Sequence, residues 1–258
     1  MKIGILQYDV AYKDINLNLK LIKDYIENGD AELYITPELA LTGYLFRNKE
    51  ELAILIKNSE EAISDLTLLC IKKISMIIGH ATEVNGNIYN TAFVLGKEGL
   101  AGVYNKIHLS KLEKKIFSEG NDIPVFTIDG IRIGINICYD LWHCELSRIL
   151  FRKNVQLICC PCNFGGIWTL EIAKTRSLEN KIFYAIANRT GNENIGLIDA
   201  HFRGESKIID YSGNTILEFD DKPGIKTCVI NPDEVLKKDT IMSDDISIDA
   251  MRYNVNLI

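Results

Sequence analysis

The sequence predicts a mixed α/β fold in a single domain spanning residues 1–258. Three observations favour this class: short apolar runs alternate with amphipathic segments, turn signals separate neighbouring apolar runs, and no repeat or low-complexity linker divides the chain. The 258 residues are 47% hydrophobic and 25% charged, which is an ordinary globular composition. An α/β chain of this length often folds as one unit.

Each predicted helix carries an apolar stripe at helical spacing, as Leu19, Ile22 and Ile26 do in the first one. The helices are expected at 16–28, at 49–74 in two pieces broken near Ser59, at 144–152 and at 170–180. The strands are short apolar runs, expected at 2–8, 32–36, 76–79, 88–95, 101–105, 126–128, 131–138, 155–160, 183–187, 205–210 and 215–219. Turn pairs at Asn85-Gly86 and Asp129-Gly130, and the triplet at 212–214, predict hairpins.

Charge, hydropathy and the first residues of the chain make several classes of protein poor candidates for this sequence. The chain has 29 basic and 35 acidic side chains, a net charge of −6, and no basic stripe, so nucleic acid is not an expected partner. No apolar run approaches the roughly 18 residues of a membrane-spanning helix. Gln7 and Asp9 come too early for a signal peptide, and we expect a cytoplasmic protein.

The seven cysteines, at 70, 138, 144, 159, 160, 162 and 228, are an odd number and lie mostly in apolar runs. Free buried thiols in a reducing compartment are the simplest interpretation. The cluster at 159–162 lacks a second pair of spaced Cys or His residues, so a metal site is disfavoured. We therefore expect no metal and no cofactor.

Three polar residues each follow an apolar strand, where α/β proteins place groups that handle ligands. Glu38 follows the strand at 32–36, Lys106 follows the strand at 101–105, and Cys138 closes the strand at 131–138. Taken singly, each also has an ordinary structural role, such as a helix N-terminal carboxylate, a solvated lysine or a buried thiol.

Together with their flanks, these residues resemble the motifs of the nitrilase superfamily, the carbon–nitrogen hydrolases. The matching segments keep the order of that family and are spread over nearly the whole chain: 36–44 (TPELALTGY), 104–109 (YNKIHL), 117–121 (FSEGN), 136–140 (NICYD), 175–180 (TRSLEN) and 202–210 (FRGESKIID). The resemblance implies a four-layer α-β-β-α sandwich. It also implies a homodimer or higher homo-oligomer, associating through the helices at 144–152 and 170–180.

The resemblance further implies a hydrolase with Cys138 as nucleophile, Glu38 as general base and Lys106 as the cation that stabilises the tetrahedral intermediate. These residue types suit the chemistry, because a thiol is mostly protonated at neutral pH and needs a base. The family has a second glutamate after the lysine; Glu113 is the candidate, with Glu119 as the alternative.

The expected substrate is a small linear amide, hydrolysed with water. After Cys138, Leu141 and Trp142 stand where members acting on N-carbamoyl amino acids tend to carry arginines, and Tyr139 stands where nitrile-hydrolysing members tend to carry Trp. The candidate substrate-binding residues are Tyr44, Tyr139, Trp142 and Asn163. A carbamoyl amidohydrolase, a nitrilase and a catalytically silent scaffold remain as alternatives.

A Cys–His hydrolase with His201 as base is a further alternative. Nucleophile elbows in such enzymes usually have glycine two residues to either side, whereas Cys138 has Asn136 and Asp140. Arg176 and Glu179, three residues apart on a predicted helix, favour a structural ion pair rather than a catalytic role.

Overall fold

The computed structural model describes residues 1–236, and the part of the predicted domain at 237–258 lies outside them. Five helices and fourteen strands are present in this range. The helices are α1 (Ile15–Glu27), α2 (Lys49–Asn58), α3 (Glu60–Cys70), α4 (Cys144–Arg152) and α5 (Thr169–Asn180). The strands are β1 (Lys2–Gln7), β2 (Leu33–Ile35), β3 (Ser75–Val84), β4 (Asn87–Gly96), β5 (Gly99–Asn105), β6 (Phe126–Ile128), β7 (Ile131–Ile135), β8 (Leu157–Cys162), β9 (Phe183–Asn188), β10 (Thr190–Ile195), β11 (Ile198–Arg203), β12 (Lys207–Ile209), β13 (Thr215–Glu218) and β14 (Gly224–Val229).

Two six-stranded sheets share one plan. The first has the order β14-β1-β2-β3-β4-β5 and the second the order β6-β7-β8-β9-β12-β13. In each sheet the second to fourth strands are parallel, and antiparallel strands flank them on both sides. Strands β10 and β11 form a separate hairpin. The carboxyl ends of the parallel strands are therefore available in both sheets for functional groups.

The main core lies between the two sheets. Ile3 and Ile5 of β1 and Ile133 and Ile135 of β7 belong to one buried apolar cluster. Burying such side chains contributes roughly 1.5–3 kcal/mol each to folding. A second cluster packs α1 and α3 against the outer face of the first sheet, and a third packs α4 and α5 against the second sheet. The predicted four-layer α-β-β-α sandwich is confirmed.

The predicted elements agree best where their local signals are strong. Ser59 separates α2 from α3, and all three predicted hairpin turns join antiparallel strands. At Asn85-Gly86 both residues have positive φ, as the tightest hairpin turns require. The sequence-based assignment missed β10, β11 and β14. The first two form a largely polar hairpin without apolar alternation, and β14 is a half-exposed edge strand.

Several predicted strands have the wrong ends. The strand expected at 76–79 continues to Val84, and the strand expected at 155–160 spans Leu157–Cys162. The strand expected at 131–138 ends at Ile135, so Cys138 begins a 3-10 turn, Cys138–Trp142, instead of closing the strand. The strand expected at 205–210 begins at Lys207, because Glu205 has a φ of 55°, outside the extended region. Among residues 1–236, no helix is both long and apolar enough to cross a bilayer.

The cysteines differ more in burial than the sequence indicated. All seven are free thiols, and Cys70, Cys159, Cys160 and Cys162 are buried. Cys138 and Cys228 are half-buried, and Cys144 is exposed at the start of α4, so the expectation of a buried thiol is wrong for Cys144. Within residues 1–236, no three or more His, Cys, Asp or Glu side chains are grouped so as to hold a metal ion.

Candidate active site

The carboxyl ends of β2 and β8, which belong to different sheets, meet at Glu38. The Glu38 backbone N–H donates to the Cys162 carbonyl at 3.4 Å, and Asn163 Nδ2 donates to the Glu38 carbonyl at 2.9 Å. Gly79 allows β3 to approach the same turn, because a Cβ there would lie 2.3 Å from the Pro37 carbonyl oxygen. These contacts fix Glu38 at the junction of the two sheets.

One ammonium and two carboxylates form a buried cluster at this junction. Lys106 Nζ donates to Glu38 Oε1 at 2.7 Å and to Glu113 Oε1 at 2.5 Å. Asn90 Nδ2 donates to the same two carboxylate oxygens, at 2.7 Å and 3.2 Å. All four residues are at most 3% exposed. The second oxygen, Glu38 Oε2, is buried and has no hydrogen-bond partner in the described part of the chain.

Burial, together with the charges of the cluster, shifts the pKa values of Glu38 and Lys106. Burial raises the pKa of Glu38 to about 7; the Lys106 charge opposes this shift, and the Glu113 charge adds to it. Burial disfavours the charge of Lys106, but attraction to Glu38 and Glu113 raises the pKa of Lys106 well above its usual range. Lys106 is therefore a permanent cation, and Glu38 is a carboxyl group that can take up or release a proton near neutral pH.

Cys138 stands at a sharp turn after β7. Its φ of 44° is in the left-handed region, which side chains with a Cβ rarely adopt. The neighbouring thiol of Cys162 lowers the pKa of Cys138, but burial and the charge of Glu38 outweigh this, and the net shift is upward. The Cys138 thiol is therefore protonated at neutral pH and needs a base to become a nucleophile.

Asp140 holds this turn in place without glycine. Its Oδ2 accepts hydrogen bonds from the Ile137 N–H at 3.0 Å and from the Tyr104 hydroxyl at 2.7 Å. Its Oδ1 accepts from the His108 backbone N–H at 2.9 Å. Tyr104 and His108 flank Lys106 by two residues on either side, so one fully buried carboxylate joins the cysteine turn to the lysine segment.

Of the four residues predicted to bind substrate, two lie inside the protein near Glu38 or Glu113 and two lie on its surface. Tyr44 lines a cavity of about 560 Å³, which Glu113 also lines. Asn163 is buried, with its amide on the Glu38 carbonyl. Tyr139 and Trp142 are on the surface, 39% and 43% exposed, and do not line that cavity.

The structure also shows where the residues considered as alternatives, Glu119 and His201, are located. Of the two glutamates considered for the position after the lysine, Glu113 contacts Lys106, whereas Glu119 is exposed and pairs with Lys114 at 2.9 Å. His201 lies on β11, where its ring bonds the Asn192 side chain at 2.8 Å.

The expected ion pair between Arg176 and Glu179 is present, with Nη1 and Oε1 3.0 Å apart. Sequence reasoning missed Asn90 and gave no role to Asp140. One feature of the sequence could have identified Asn90: it alternates with the apolar Ile88 and Ala92 along β4, which predicts a polar side chain on the buried face of the strand.

Comparisons with known proteins identify the family to which the chain belongs. The sequence model of the carbon–nitrogen hydrolase family matches residues 2–235. A probable nitrilase of Schizosaccharomyces pombe is 30% identical over 251 residues, covering 91% of this chain and 90% of that protein. A 2-oxoglutaramate amidase of Bacillus subtilis is 30% identical over 246 residues, covering 90% and 91% of the two chains.

Among solved structures, an amidase of the nitrilase superfamily from Nesterenkonia superposes with a TM-score of 0.81 at 25% identity, over 94% of each chain. The chain belongs to the nitrilase superfamily, and it is a carbon–nitrogen hydrolase.

Proposed function

We propose that this hydrolase is an amidase that releases ammonia from a small linear amide through a thioester on Cys138. The observation that carries the proposal is the buried cluster of Glu38 and Lys106 beside a thiol held at a strained turn. A base, a fixed cation and a sulfur nucleophile are the three parts that acyl transfer requires. Relatives named as amidases support the same class of substrate.

In the acylation half-reaction, Glu38 takes the proton of the Cys138 thiol as sulfur adds to the amide carbon. The Lys106 ammonium stabilises the charge on the carbonyl oxygen, and the backbone N–H of Tyr139, which follows Cys138 in the 3-10 turn, serves as a second donor. Collapse of the intermediate breaks the C–N bond, and Glu38 returns its proton to the departing nitrogen, which leaves as ammonia.

In the deacylation half-reaction, Glu38 takes a proton from water, whose oxygen adds to the thioester carbon. Collapse of this second intermediate breaks the C–S bond and releases a carboxylic acid, and the sulfur regains the proton held by Glu38. The net reaction converts an amide and water to a carboxylic acid and ammonia. These steps use the side chains of the chain itself and call for no metal or organic cofactor.

Glu113 and Asn90 serve as positioning residues in this scheme. Glu113 contacts Lys106 and accepts the Ser110 N–H at 2.8 Å, which anchors its carboxylate to the backbone. Asn90 bonds both carboxylates and separates them. A cation held between two fixed carboxylates needs little reorganisation when negative charge develops next to it.

The test is ammonia release across a panel of short amides, ω-amides, N-carbamoyl compounds and nitriles. Cys138→Ala is expected to lower turnover of the best substrate by at least about 10⁴-fold, as loss of a catalytic nucleophile does in related chemistry. Cys144→Ala is the matched control, since Cys144 is a free, exposed thiol whose loss leaves the rate unchanged.

The outcome also ranks the alternatives. Preferred release from carbamoyl compounds or nitriles would replace the amide assignment with one of those classes. Silence across the panel, together with a Cys138 thiol no more reactive toward iodoacetamide than Cys144, would favour a silent scaffold.

We further propose that residues 1–258 form one cytoplasmic domain, and that this domain assembles as a homodimer or higher homo-oligomer through the outer layer of α4 and α5. The assembly is supported by exposed apolar side chains in that layer, among them Trp142, Trp168 (63% exposed) and Leu178. Sedimentation velocity tests it: Trp168→Glu is expected to yield monomers, and a monomeric wild type would refute the assembly.

A further inference from the structure

Three free thiols lie together where β7 and β8 end. Ile135 of β7 pairs with Cys159 of β8 in a parallel ladder, and Cys138 and Cys162 each follow three residues later. Cys160 and Cys162 are two residues apart on β8, so they share one face of the strand, and their Sγ atoms are 3.4 Å apart. Cys162 therefore has one thiol neighbour on its own strand and another on the adjacent segment.

The Cys138 thiol adjoins this pair directly. Cys138 packs against the buried apolar cluster that contains both Cys160 and Cys162, and the Cys162 thiol has the largest single influence on the pKa of Cys138. Neighbouring strands of a sheet are about 4.8 Å apart, and Cα atoms joined by a disulfide are usually about 4.4–6.8 Å apart. The pairing of the two segments thus favours a disulfide between Cys138 and Cys162.

A difference in access to solvent sets the order in which these thiols are oxidised. Cys138 is half-buried, whereas Cys160 and Cys162 are fully buried. Burial and the two neighbouring thiols raise the pKa of Cys162 well above its usual range, so this residue is a protonated thiol out of reach of a dissolved oxidant. An oxidant that enters from solvent therefore meets Cys138 first, and Cys162 reacts only with a sulfur beside it.

We propose that Cys138 and Cys162 are a redox pair: a hydroperoxide oxidises Cys138, and Cys162 then closes a disulfide with it. In the first step the Cys138 sulfur, as the thiolate, attacks one oxygen of the peroxide. An S–O bond forms, the O–O bond breaks, and the departing oxygen takes up a proton and leaves as water or an alcohol. The Cys138 sulfur has lost two electrons and is now a sulfenic acid.

In the second step the Cys162 sulfur attacks the sulfenic sulfur of Cys138. The S–S bond forms, the S–O bond breaks, and the leaving hydroxide combines with the thiol proton of Cys162 to give water. The net reaction converts two thiols and a hydroperoxide to a disulfide, water, and a second water or an alcohol. Exchange with a dithiol reductant regenerates both cysteines.

The disulfide would give the proposed nucleophile a reversible inactive form. While it is bonded to Cys162, the Cys138 sulfur cannot attack an amide, and it is protected from further oxidation to a sulfinic acid, which thiols do not reverse. Disulfides that form in a reducing compartment are usually transient or redox-sensing in this way. The inference goes beyond the amidase proposal, because it requires a reactive Cys138 beside Cys162 and no amide substrate.

The test treats the purified wild-type protein with excess hydrogen peroxide and maps its peptides by mass spectrometry without reductant. We expect two peptides linked through Cys138 and Cys162. Labelling of Cys138 by iodoacetamide should fall to about one tenth of the untreated value and return to about nine tenths after dithiothreitol, as a disulfide requires.

Cys162→Ala removes the thiol that closes the disulfide. Without it, excess peroxide should carry Cys138 on to the sulfinic acid, and the labelling recovered with dithiothreitol should be about 5-fold lower than in the wild type. Cys160→Ala is the matched control, since Cys160 is equally buried on the same face of β8, and it should recover as the wild type does. Each variant is compared with its own untreated sample, and a urea melt checks that it is folded.

The wild-type peptide map decides the proposal even if Cys162→Ala does not fold. A wild type in which Cys138 passes directly to the sulfinic acid, or in which the linked residues are Cys160 and Cys162, overturns the redox pair. Equal recovery of the wild type and a folded Cys162→Ala overturns it as well. All these outcomes are read from the state of the sulfur atoms, so a protein that forms the link but releases no ammonia from any amide refutes the amidase assignment and keeps the redox pair.

Discussion

The protein contains two buried clusters of charge that differ in how completely they are satisfied. In the first, Lys106 serves two carboxylates, Glu38 and Glu113, and Glu38 Oε2 has no hydrogen-bond partner in the described chain. In the second, Arg189 pairs with Glu193 and also donates to the Val10 carbonyl at 2.8 Å. Both clusters are almost fully buried, so burial alone does not tell them apart.

The second cluster has a bonding partner for nearly every polar atom. Arg189 also contacts Asp9 at 3.2 Å and lies 4.4 Å from the Phe202 ring. Both oxygens of Glu193 accept backbone N–H groups of the segment that carries Tyr44. Such a network fixes a segment but leaves no group free to react. The first cluster retains a buried carboxylate oxygen without a partner in the described chain, on a carboxyl group whose pKa is raised to about 7, and this is the condition for proton transfer.

Replacing a glutamate by glutamine should therefore lower activity in the first cluster and stability in the second. Glu38→Gln, in the first cluster, should produce the largest effect. The amide side chain cannot take the Cys138 proton, so kcat/KM is expected to fall by about 10²–10⁴-fold, the usual contribution of general acid–base catalysis. Stability should change little, because Lys106 keeps a one-to-one pair with Glu113. Ammonia release and a urea melt of one preparation measure both quantities. Turnover within threefold of wild type would eliminate Glu38 as the base.

Glu193→Gln should affect stability instead. It leaves the Arg189 charge buried with only Asp9, which is 60% exposed, as a carboxylate partner. Breaking a buried ion pair on one side costs about 3 kcal/mol or more in the free energy of unfolding, which a urea melt measures.

The control for Glu193→Gln is Asp65→Asn in the half-exposed pair between Lys23 and Asp65, where a change below about 1 kcal/mol is expected. If both variants unfold at the same urea concentration, the second cluster has no structural role of the kind described.

Glu113→Gln should change the pH dependence of activity. Glu38 acts as a base only when ionised, and its pKa is raised to about 7, so kcat/KM should increase as the pH rises through that value. The charge of Glu113 contributes to the increase in the Glu38 pKa, after burial. Its removal should move the acidic limb to lower pH by about one unit, although the limb belongs to the coupled cluster as a whole. Glu119→Gln, in an exposed pair, should leave the limb in place.

The features of the site that depend on residues close together in the sequence could be predicted, and those that depend on distant segments could not. Glu38, Lys106 and Cys138 each stand within a recognisable local segment; in the structure Glu38 contacts Lys106, and its charge acts on the Cys138 thiol. The sequence favoured Glu113 over Glu119 but could not decide between them, because the choice depends on a short 3-10 turn, Glu113–Lys115, in which the Glu113 side chain is buried. The role assigned to each residue remains a prediction.

Interactions between distant segments were beyond sequence reasoning. Arg189 and Glu193 are an ordinary charged pair in the sequence, and nothing local indicates that the core closes over them. The fold shows the same limit: the turn at Asn85-Gly86 was found from two residues, whereas the polar hairpin of β10 and β11 was missed. Local backbone preferences depend on neighbouring residues, whereas the burial of a side chain depends on the whole fold.

The smallest expected effect separates a positioning contact from an ordinary buried hydrogen bond. Tyr104→Phe removes the hydroxyl that donates to Asp140 Oδ2 at 2.7 Å and so loosens the link between the lysine segment and the Cys138 turn. We expect kcat to fall by about 3- to 10-fold with KM nearly unchanged, since small displacements of catalytic groups slow the chemical step. Tyr184→Phe is the matched control, because this buried tyrosine loses a similar hydrogen bond, to Ser147 at 2.6 Å, on the opposite side of the second sheet.

Both tyrosine variants should lose a similar stability, about 1 kcal/mol, in a urea melt. Only Tyr104→Phe should lower kcat, and it should slow alkylation of Cys138 by iodoacetamide in parallel, because the same turn positions the thiol for both reactions. An equal fall of kcat in the two variants would show that any loss of stability slows turnover. In that event Asp140 would be a structural residue of the sheet edge, and the buried link between the cysteine and the lysine would have no part in catalysis.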